Sequence, residues 1–121
     1  MTPEGRVLKA VSEYLALQER LGRCVFWRQN NGGVYDPSRK IFRKPQGAGQ
    51  KAGIPDLVAV IAGRCVGIEV KSDVGRLSPA QSEIKALLER HGAVYIVARG
   101  VQDVEPLFVS NLISKPSTNS L

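Results

Sequence analysis

Three charged residues interrupt what otherwise looks like two buried strands, and this feature constrains the fold more than any other. Residues 57–62 and 65–70 are short apolar runs rich in Val and Ile, with the turn-forming Gly63 between them, a pattern that predicts a β-hairpin. Asp56 precedes the first run, while Glu69 and Lys71 close the second. The hairpin therefore has to accommodate charge at one of its ends.

The register of this hairpin decides which charged residues meet. A two-residue turn at 62–63 places Asp56 opposite Glu69, whereas a turn at 63–64 places Asp56 opposite Lys71. In either register the three side chains share one side, because residues i and i+2 of a strand point the same way. Two facing carboxylates about 4.5–5.5 Å apart can bind one divalent cation beside a lysine.

The alternative is a cross-strand salt bridge, in which Lys71 neutralises Asp56 or Glu69. Two acids and one lysine leave a net negative cluster flanked by Val, Ile and Leu. Such a cluster is costly unless a cation completes it, so the metal interpretation is favoured.

Composition limits the class of protein. A chain of 121 residues, with 43% hydrophobic and 23% charged residues, is typical of one globular domain. No apolar run is long enough to span a membrane, and the N-terminus lacks a signal-peptide core, so we expect an intracellular, cytoplasmic protein. Cys24 and Cys65 lack metal-site spacing and are expected to be buried thiols in strands. The net charge of +6 indicates a polyanionic partner, either nucleic acid or an acidic membrane surface.

The N-terminal segment predicts a helix from Thr2, as N-cap, and Pro3 to about Leu21, with Gly22 as its stop. Its expected apolar stripe is Val7, Leu8, Val11, Tyr14, Leu15 and Leu21. Glu4 projects within about 40° of this stripe, so it is the inward acid of the helix. The alternative role for Glu4 is a first-turn acid that interacts with the helix dipole.

A first strand is predicted at 24–28, with Trp27 as core or a wall of a cleft rather than a base-stacking platform. Residues 29–53 show no periodicity and read as a long functional loop or a poorly paired hairpin. Six cations against one acid, Asp36, give residues 28–53 a net charge of +5. We expect these cations to contact phosphates, the alternative being a disordered insertion. They are Arg28, Arg39, Lys40, Arg43, Lys44 and Lys51.

The C-terminal half predicts a helix, a strand and a helix. Ser78 and Gln81 have the spacing of a capping box at the start of the first helix, and Gln81 also lies on its buried side. The run 93–98 predicts a buried strand parallel to its neighbour, reached by a helical crossover. Residues 101–112 predict a last helix, and 113–121 a disordered tail. The element order predicts an α/β fold around a mixed sheet.

The charged residues also carry a family resemblance. Pro55-Asp56 followed by Glu69-Val70-Lys71 resembles the PD-(D/E)XK nuclease signature. Five blocks in order resemble the VRR-NUC domain, the virus-type replication and repair nuclease branch of that superfamily, over about residues 4–98. These blocks are Glu4 ahead of Tyr14-Leu15, 27–33, 53–57, 68–71 and 75–81.

The resemblance implies a restriction-endonuclease-like three-layer core of order α-β-β-β-α-β, with one nuclease domain at 1–112 and a basic insertion at 29–53. It implies a DNA endonuclease dependent on Mg²⁺ or Mn²⁺ and on no small-molecule cofactor. The expected metal ligands are Asp56, Glu69, the Val70 carbonyl and Glu4. Lys71 would position or deprotonate the attacking water, with Gln81 beside the active site.

The chain is similar to small stand-alone members of this branch. This similarity implies a homodimer that cuts branched DNA, including four-way junctions, in phage or mobile-element replication and repair. The resemblance therefore implies a DNA-bound homodimer in a bacterial or phage-infected host. Two alternatives remain open: a catalytically inactive DNA-binding module, and a sequence-specific restriction-type endonuclease. The second would normally need recognition elements for which 121 residues leave little room.

Overall fold

The computed structural model describes residues 1–29, 34–43 and 47–109, which form an α/β fold. In chain order the elements are α1 Pro3–Arg20, β1 Val25–Arg28, β2 Val34–Asp36, β3 Ile41–Arg43, β4 Leu57–Ile61, β5 Arg64–Val70, α2 Pro79–Arg90, β6 Val94–Ala98, a 3₁₀ turn Val101–Asp103 and α3 Pro106–Val109. No helix within these described ranges is long and apolar enough to cross a membrane.

Helix α1 begins and ends close to the predicted residues. The Thr2 side chain accepts a hydrogen bond from the Gly5 N–H at 2.9 Å, and Gly22 follows the helix with φ +76°. Val11 and Leu15 are fully buried. Leu21, predicted as part of the apolar stripe, is 55% exposed because the helix ends at Arg20, one residue before it.

The main sheet is mixed, as predicted, with strand order β1-β4-β5-β6. β4 is antiparallel to both β1 and β5, whereas β6 is parallel to β5 after the crossover through α2. β2 and β3 form a separate antiparallel hairpin. The segment 29–53 therefore contains paired strands, which agrees with the hairpin alternative rather than with a loop throughout.

The β4–β5 hairpin has the register that aligns the two acids. Ile61 pairs with Arg64, so the turn consists of Ala62 and Gly63, at φ 50° and 79°. Positive φ at both central residues is the geometry that matches the twist of a two-residue hairpin. Because Leu57 pairs with Ile68, the residues before and after them, Asp56 and Glu69, meet at the open end.

The apolar core lies on one face of the sheet. Alternate residues of the two central strands pack there against α1 and the C-terminal turns; they are Leu57, Ala59, Ile61, Val66, Ile68 and Val70. The intervening residues face the other side, where α2 packs. A Cβ placed at Gly67 would lie 3.3 Å from Leu88 Cδ1 of α2. α1 and α2 therefore contact opposite faces of β5, and Glu69 projects toward the α2 side.

Carboxylate side chains accept hydrogen bonds from backbone N–H groups at both edges of the main sheet. On β1, the Phe26 N–H donates to Glu19 Oε2 of α1 at 3.0 Å. Directly after β6, the Arg99 N–H donates to Asp103 Oδ2 at 2.8 Å. These N–H groups would otherwise be open to pairing with another strand.

Two expectations about the chain are wrong. In place of a continuous helix from 101, a 3₁₀ turn is followed by a break and then by the short α3, because Pro106 lacks an N–H and disfavours helical geometry in the residue before it. Residues 110–112 of the predicted helix, and the predicted tail, lie outside the described residues. Cys65 is exposed rather than buried, and Cys24 is half-buried.

Candidate active site

Three carboxylates from three separate segments meet at the open end of the β4–β5 hairpin. Glu4 comes from the first turn of α1, Asp56 precedes β4, and Glu69 lies near the end of β5. One carboxylate oxygen of each lies within 4.8 Å of the others. Exposure falls from Glu4, which is exposed, through the half-buried Asp56 to Glu69, which is only 2% exposed. The helix-stripe argument for Glu4 as the inward acid therefore agrees with its position.

The backbone around Asp56 fixes its carboxylate. Asp56 Oδ2 accepts a hydrogen bond from the Val70 N–H at 2.8 Å, and its carbonyl accepts one from the Gln29 N–H at 2.9 Å. The buried Pro55 packs on Gly67, where an added Cβ would lie 2.8 Å from Pro55 Cγ. Asp56 is thus held against both neighbouring strands. The role of the Val70 carbonyl as a metal ligand stays a prediction.

Glu69 is the buried acid of the cluster, and its two oxygens differ. Oε2 accepts a hydrogen bond from Gln81 Nε2 at 3.1 Å and lies 3.8 Å from Lys71 Nζ. Oε1 is buried and has no hydrogen-bond partner among the described residues. Burial, followed by the nearby carboxylate of Asp56, raises the pKa of Glu69 to about 8, with Lys71 acting in the opposite direction.

The site fits a hard divalent cation. Its side-chain donors are all carboxylate oxygens, the ligands that Mg²⁺ and Mn²⁺ prefer. A cation would satisfy the orphaned Oε1 of Glu69 and offset the repulsion that raises the pKa of this residue. A simple salt bridge fits less well, because Lys71 contacts only Oε2 of one acid.

Gln81 contacts the cluster while it caps α2. Its Oε1 accepts from the Ser78 N–H at 2.8 Å, and its own N–H donates to Ser78 Oγ at 3.1 Å, completing the predicted capping box. Its remaining side-chain group, Nε2, donates to Glu69. The sequence indicated the cap and the family resemblance implied the place beside the active site, and the amide makes both contacts at once through its two ends.

Lys71 is enclosed by the loop that follows it. Its N–H donates to the Ala98 carbonyl at 3.0 Å, and its side chain is only 12% exposed. A Cβ at Gly75 would lie 3.3 Å from Lys71 Cδ, so the turn 72–75 folds back over the lysine stem. The Arg99 guanidinium donates to the Ser72 carbonyl and thereby fixes this turn.

Two residues near the site were missed by sequence reasoning. Gly53 has φ +78°, and a Cβ there would lie 2.6 Å from the Ala80 carbonyl carbon, so the chain before Asp56 presses on the first turn of α2. Its place in a Gly-Ile-Pro-Asp segment was the only available signal. Tyr95 is 6% exposed, and its buried hydroxyl has no partner in the described part of the chain. Burial, then Glu69 and Asp56, raises its pKa to about 12.

The predicted phosphate-contacting cations are surface residues wherever the structure describes their side chains. Arg28, Arg39, Lys40 and Lys51 are exposed. Arg28 pairs with Leu57 and therefore lies one residue from the carboxylate cluster. The side chains of Arg43 and Lys44 lie outside the described residues.

Trp27 is not a core residue, because it is 45% exposed. The main core lies on the other face of β1, where Phe26 packs. The expectation of core burial is wrong here, whereas a wall of the cleft and a base-stacking platform are both compatible with this exposure.

Comparison with known proteins gives one assignment. Searches of curated proteins and of solved structures return no match. The sequence model of the VRR-NUC domain matches residues 4–102, which is most of the chain and contains all three clustered carboxylates together with Lys71 and Gln81. The protein therefore belongs to the VRR-NUC family of nucleases.

Proposed function

We propose that the protein is a metal-dependent DNA endonuclease that hydrolyses phosphodiester bonds. The observation that carries this proposal is the meeting of Glu4, Asp56 and Glu69, with one carboxylate oxygen of each within 4.8 Å of the others and Glu69 itself buried. Membership of a nuclease family supports the same chemistry. We extend the proposal to the restriction-endonuclease-like three-layer core, since α1 and α2 contact opposite faces of β5.

Asp56, Glu69, the Val70 carbonyl and Glu4 would hold Mg²⁺ or Mn²⁺. A divalent ion there supplies Lewis-acid stabilisation of the scissile phosphate and favours ionisation of the attacking water. Gln81 orients Glu69 by binding Oε2, which leaves Oε1 for the ion. The exposed Glu4 closes the site from the solvent side.

Lys71 provides a positive charge beside the three carboxylates of the proposed active site. Its ammonium lies 3.8 Å from Glu69 Oε2 and is enclosed by the turn 72–75, so its position is restricted before DNA arrives. We propose that it orients the attacking water, assists loss of its proton and offsets the negative charge that develops on the phosphate. The water oxygen attacks phosphorus directly, without a covalent enzyme intermediate, while the phosphorus–oxygen bond to the leaving nucleoside breaks and that oxygen takes up a proton.

The DNA substrate is held mainly through its backbone. The proposed contacts are Arg28, Arg39, Lys40, Arg43, Lys44 and Lys51, which account for most of the net charge of the protein. We further propose branched DNA such as four-way junctions as substrate, cut by a homodimer in phage or mobile-element replication and repair. A two-fold dimer presents two active sites to two strands.

The test is cleavage of labelled junction, flap, single-stranded and duplex DNA with Mg²⁺, Mn²⁺ or chelator. We expect Lys71→Ala and Glu69→Gln to abolish cleavage and retain binding. The matched control is Lys9→Ala, since Lys9 is an exposed lysine of α1 whose ion pair among the described residues is with Glu13, at 3.9 Å. Control activity should match that of the unmutated protein.

Other outcomes would redirect the proposal. Metal-independent binding without any cleavage would indicate the inactive binding module, and cuts set by sequence rather than by DNA shape would indicate a restriction-type enzyme. A light-scattering mass of 13.1 kDa for the protein alone, together with a junction complex whose mass is that of the DNA plus one chain, would refute the homodimer.

A further inference from the structure

The sheet face that carries the carboxylates is only partly covered. α2 packs over β5 and β6, where Leu88 approaches Gly67. On β1 and β4 none of the described elements covers the same face, and Val25 is 50%, Trp27 45% and Val60 38% exposed. Because paired residues share a face, Trp27 opposite Val58 projects to the side away from the α1 core.

Trp27 lies next to the active site on this open face. Its partner on β4 is Val58, two residues from Asp56, which makes Trp27 and Asp56 diagonal neighbours about 7–8 Å apart. The indole Nε1 donates to the side chain of Gln29. The Gln29 N–H in turn bonds the Asp56 carbonyl, so the indole is held toward the end of the sheet where the carboxylates meet.

The exposed indole has the properties of a stacking surface. Its one polar group is already bonded to Gln29, which leaves the apolar ring face as the part available to a ligand. Diagonal neighbours about 7–8 Å apart are still within reach of an aromatic side chain, so the indole can lie beside a nucleotide held at the carboxylates. A strand whose phosphate lies at the carboxylates thus brings a nearby base to Trp27.

We propose that Trp27, oriented by Gln29, stacks on an unpaired nucleobase one or two nucleotides from the scissile phosphate. This inference rests on the proposed nuclease function and narrows its substrate to DNA with single-stranded bases beside the cleaved bond. A base paired within a continuous duplex keeps its faces stacked on its neighbours and cannot offer one to the indole. The net charge of +6 favours a polyanion over an apolar peptide as occupant.

Fluorescence gives a direct test, because Trp27 is the only tryptophan in the chain. Protein carrying Glu69→Gln, which is expected not to cleave, is titrated in Mg²⁺ with an unlabelled single strand and with the blunt duplex of the same sequence. We expect the single strand to quench the emission and the duplex to leave it nearly unchanged. Equal quenching by both would overturn the proposal.

A mutant cycle separates stacking from other contacts. In the same background, Trp27→Ala should weaken single-strand binding about 5- to 150-fold, the range for loss of one base–aromatic stack. A strand lacking the stacked base should lose a similar factor with Trp27 present and little more with Trp27→Ala. Trp27→Phe should retain most of the affinity. Losses that multiply independently would overturn the assignment.

The control is Val60→Ala, which removes apolar surface from the same open face near the other end of β1. It should leave single-strand affinity unchanged. If Val60→Ala and Trp27→Ala instead both convert a dimer to a monomer while DNA affinity stays constant, a second copy covers this face and the stacking proposal is wrong.

Parallel cleavage assays with the unmutated protein keep the two proposals apart. Metal-dependent cleavage without quenching by any single strand would refute only the proposal that Trp27 stacks on a base. Quenching by single strands without cleavage of any substrate would instead refute the proposed nuclease function.

Discussion

Replacing Glu69 by Gln should change how the stability of the metal-free protein depends on pH. Glu69 has a pKa of about 8 in the folded protein against an ordinary 4.5. Because its folded pKa is raised, the neutral form of Glu69 favours folding, so the contribution of this residue to stability is fully present below pH 4.5 and is lost as pH rises through about 8. Gln resembles the neutral acid at every pH and should lack this loss.

The magnitude follows from the pKa difference. A rise from 4.5 to about 8, at about 1.4 kcal/mol per pH unit, makes ionisation of Glu69 cost about 5 kcal/mol of folding free energy. This is comparable to the whole stability of many small domains. At pH 9 the Gln variant should therefore be more stable by about this amount, whereas near pH 4.5 the two proteins should agree within about 1 kcal/mol.

The assay is urea unfolding followed by circular dichroism, from pH 4.5 to 9 in chelator. Glu13→Gln is the control, since Glu13 is a surface acid whose only ion pair among the described residues is with Lys9, at 3.9 Å. Addition of Mn²⁺ at pH 9 should stabilise the unmutated protein by about 2.7 kcal/mol at a hundredfold excess over Kd and leave Glu69→Gln nearly unchanged. Parallel pH profiles for the two metal-free proteins would refute the reasoning.

Five further substitutions test how neighbouring residues support the site, by urea unfolding and by cleavage rate. In Gly49→Ala the added methyl group meets no atom within 4 Å, but φ is +86°, so the free energy of unfolding should fall by about 1–2 kcal/mol. Gly53→Ala should lose about a further 1–3 kcal/mol, because its methyl group overlaps the backbone of α2, and it should also reduce cleavage. Ser78→Ala and Gln81→Ala should each cost about 1 kcal/mol through the helix cap, but only the second should slow cleavage. Tyr95→Phe should raise the free energy of unfolding by about 1 kcal/mol, because it removes a buried hydroxyl that has no hydrogen-bond partner among the described residues.

Each of these comparisons has a contradicting result. Equal losses for the two glycine variants would mean that the first turn of α2 yields to the added methyl group. Equal cleavage defects for the two cap variants would assign the role of Gln81 to capping alone. A clear loss of stability in Tyr95→Phe would show that its hydroxyl has a partner.

The hairpin at the centre of the site could be predicted because its signals are local. Two apolar runs and the turn at Gly63 predict the hairpin but leave two registers open, and in both Asp56 shares a side with Glu69. The structure has the register with the turn at 62–63. The helix bearing Glu4 was accessible for the same reason, since Thr2 and Pro3 mark its start. Its meeting with the strands followed from the family resemblance and from its place on the inward stripe.

What could not be predicted depends on contacts between distant segments. The approach of Gly53 to α2 joins parts of the chain 27 residues apart, and no periodicity records it. The exposure of Trp27 and Cys65 was missed because apolar strands predict two buried faces. α2 packs on β6 and reaches β5 at Gly67, which leaves Trp27 on β1 and Cys65 at the start of β5 exposed. Hydrophobic pattern gives the burial that a strand favours, not the extent of the helix that covers it.

The two carboxylate bonds at the sheet margins limit how copies of this protein can associate. With the Phe26 amide bound to Glu19 and the Arg99 amide bound to Asp103, an incoming strand would have to displace a side chain at either margin before it could add to the ladder. Self-association by continuing one sheet into the next is thereby disfavoured. A dimer of this protein should instead use helix or sheet faces, and loss of the Glu19 carboxylate should open a route to fibrous aggregates.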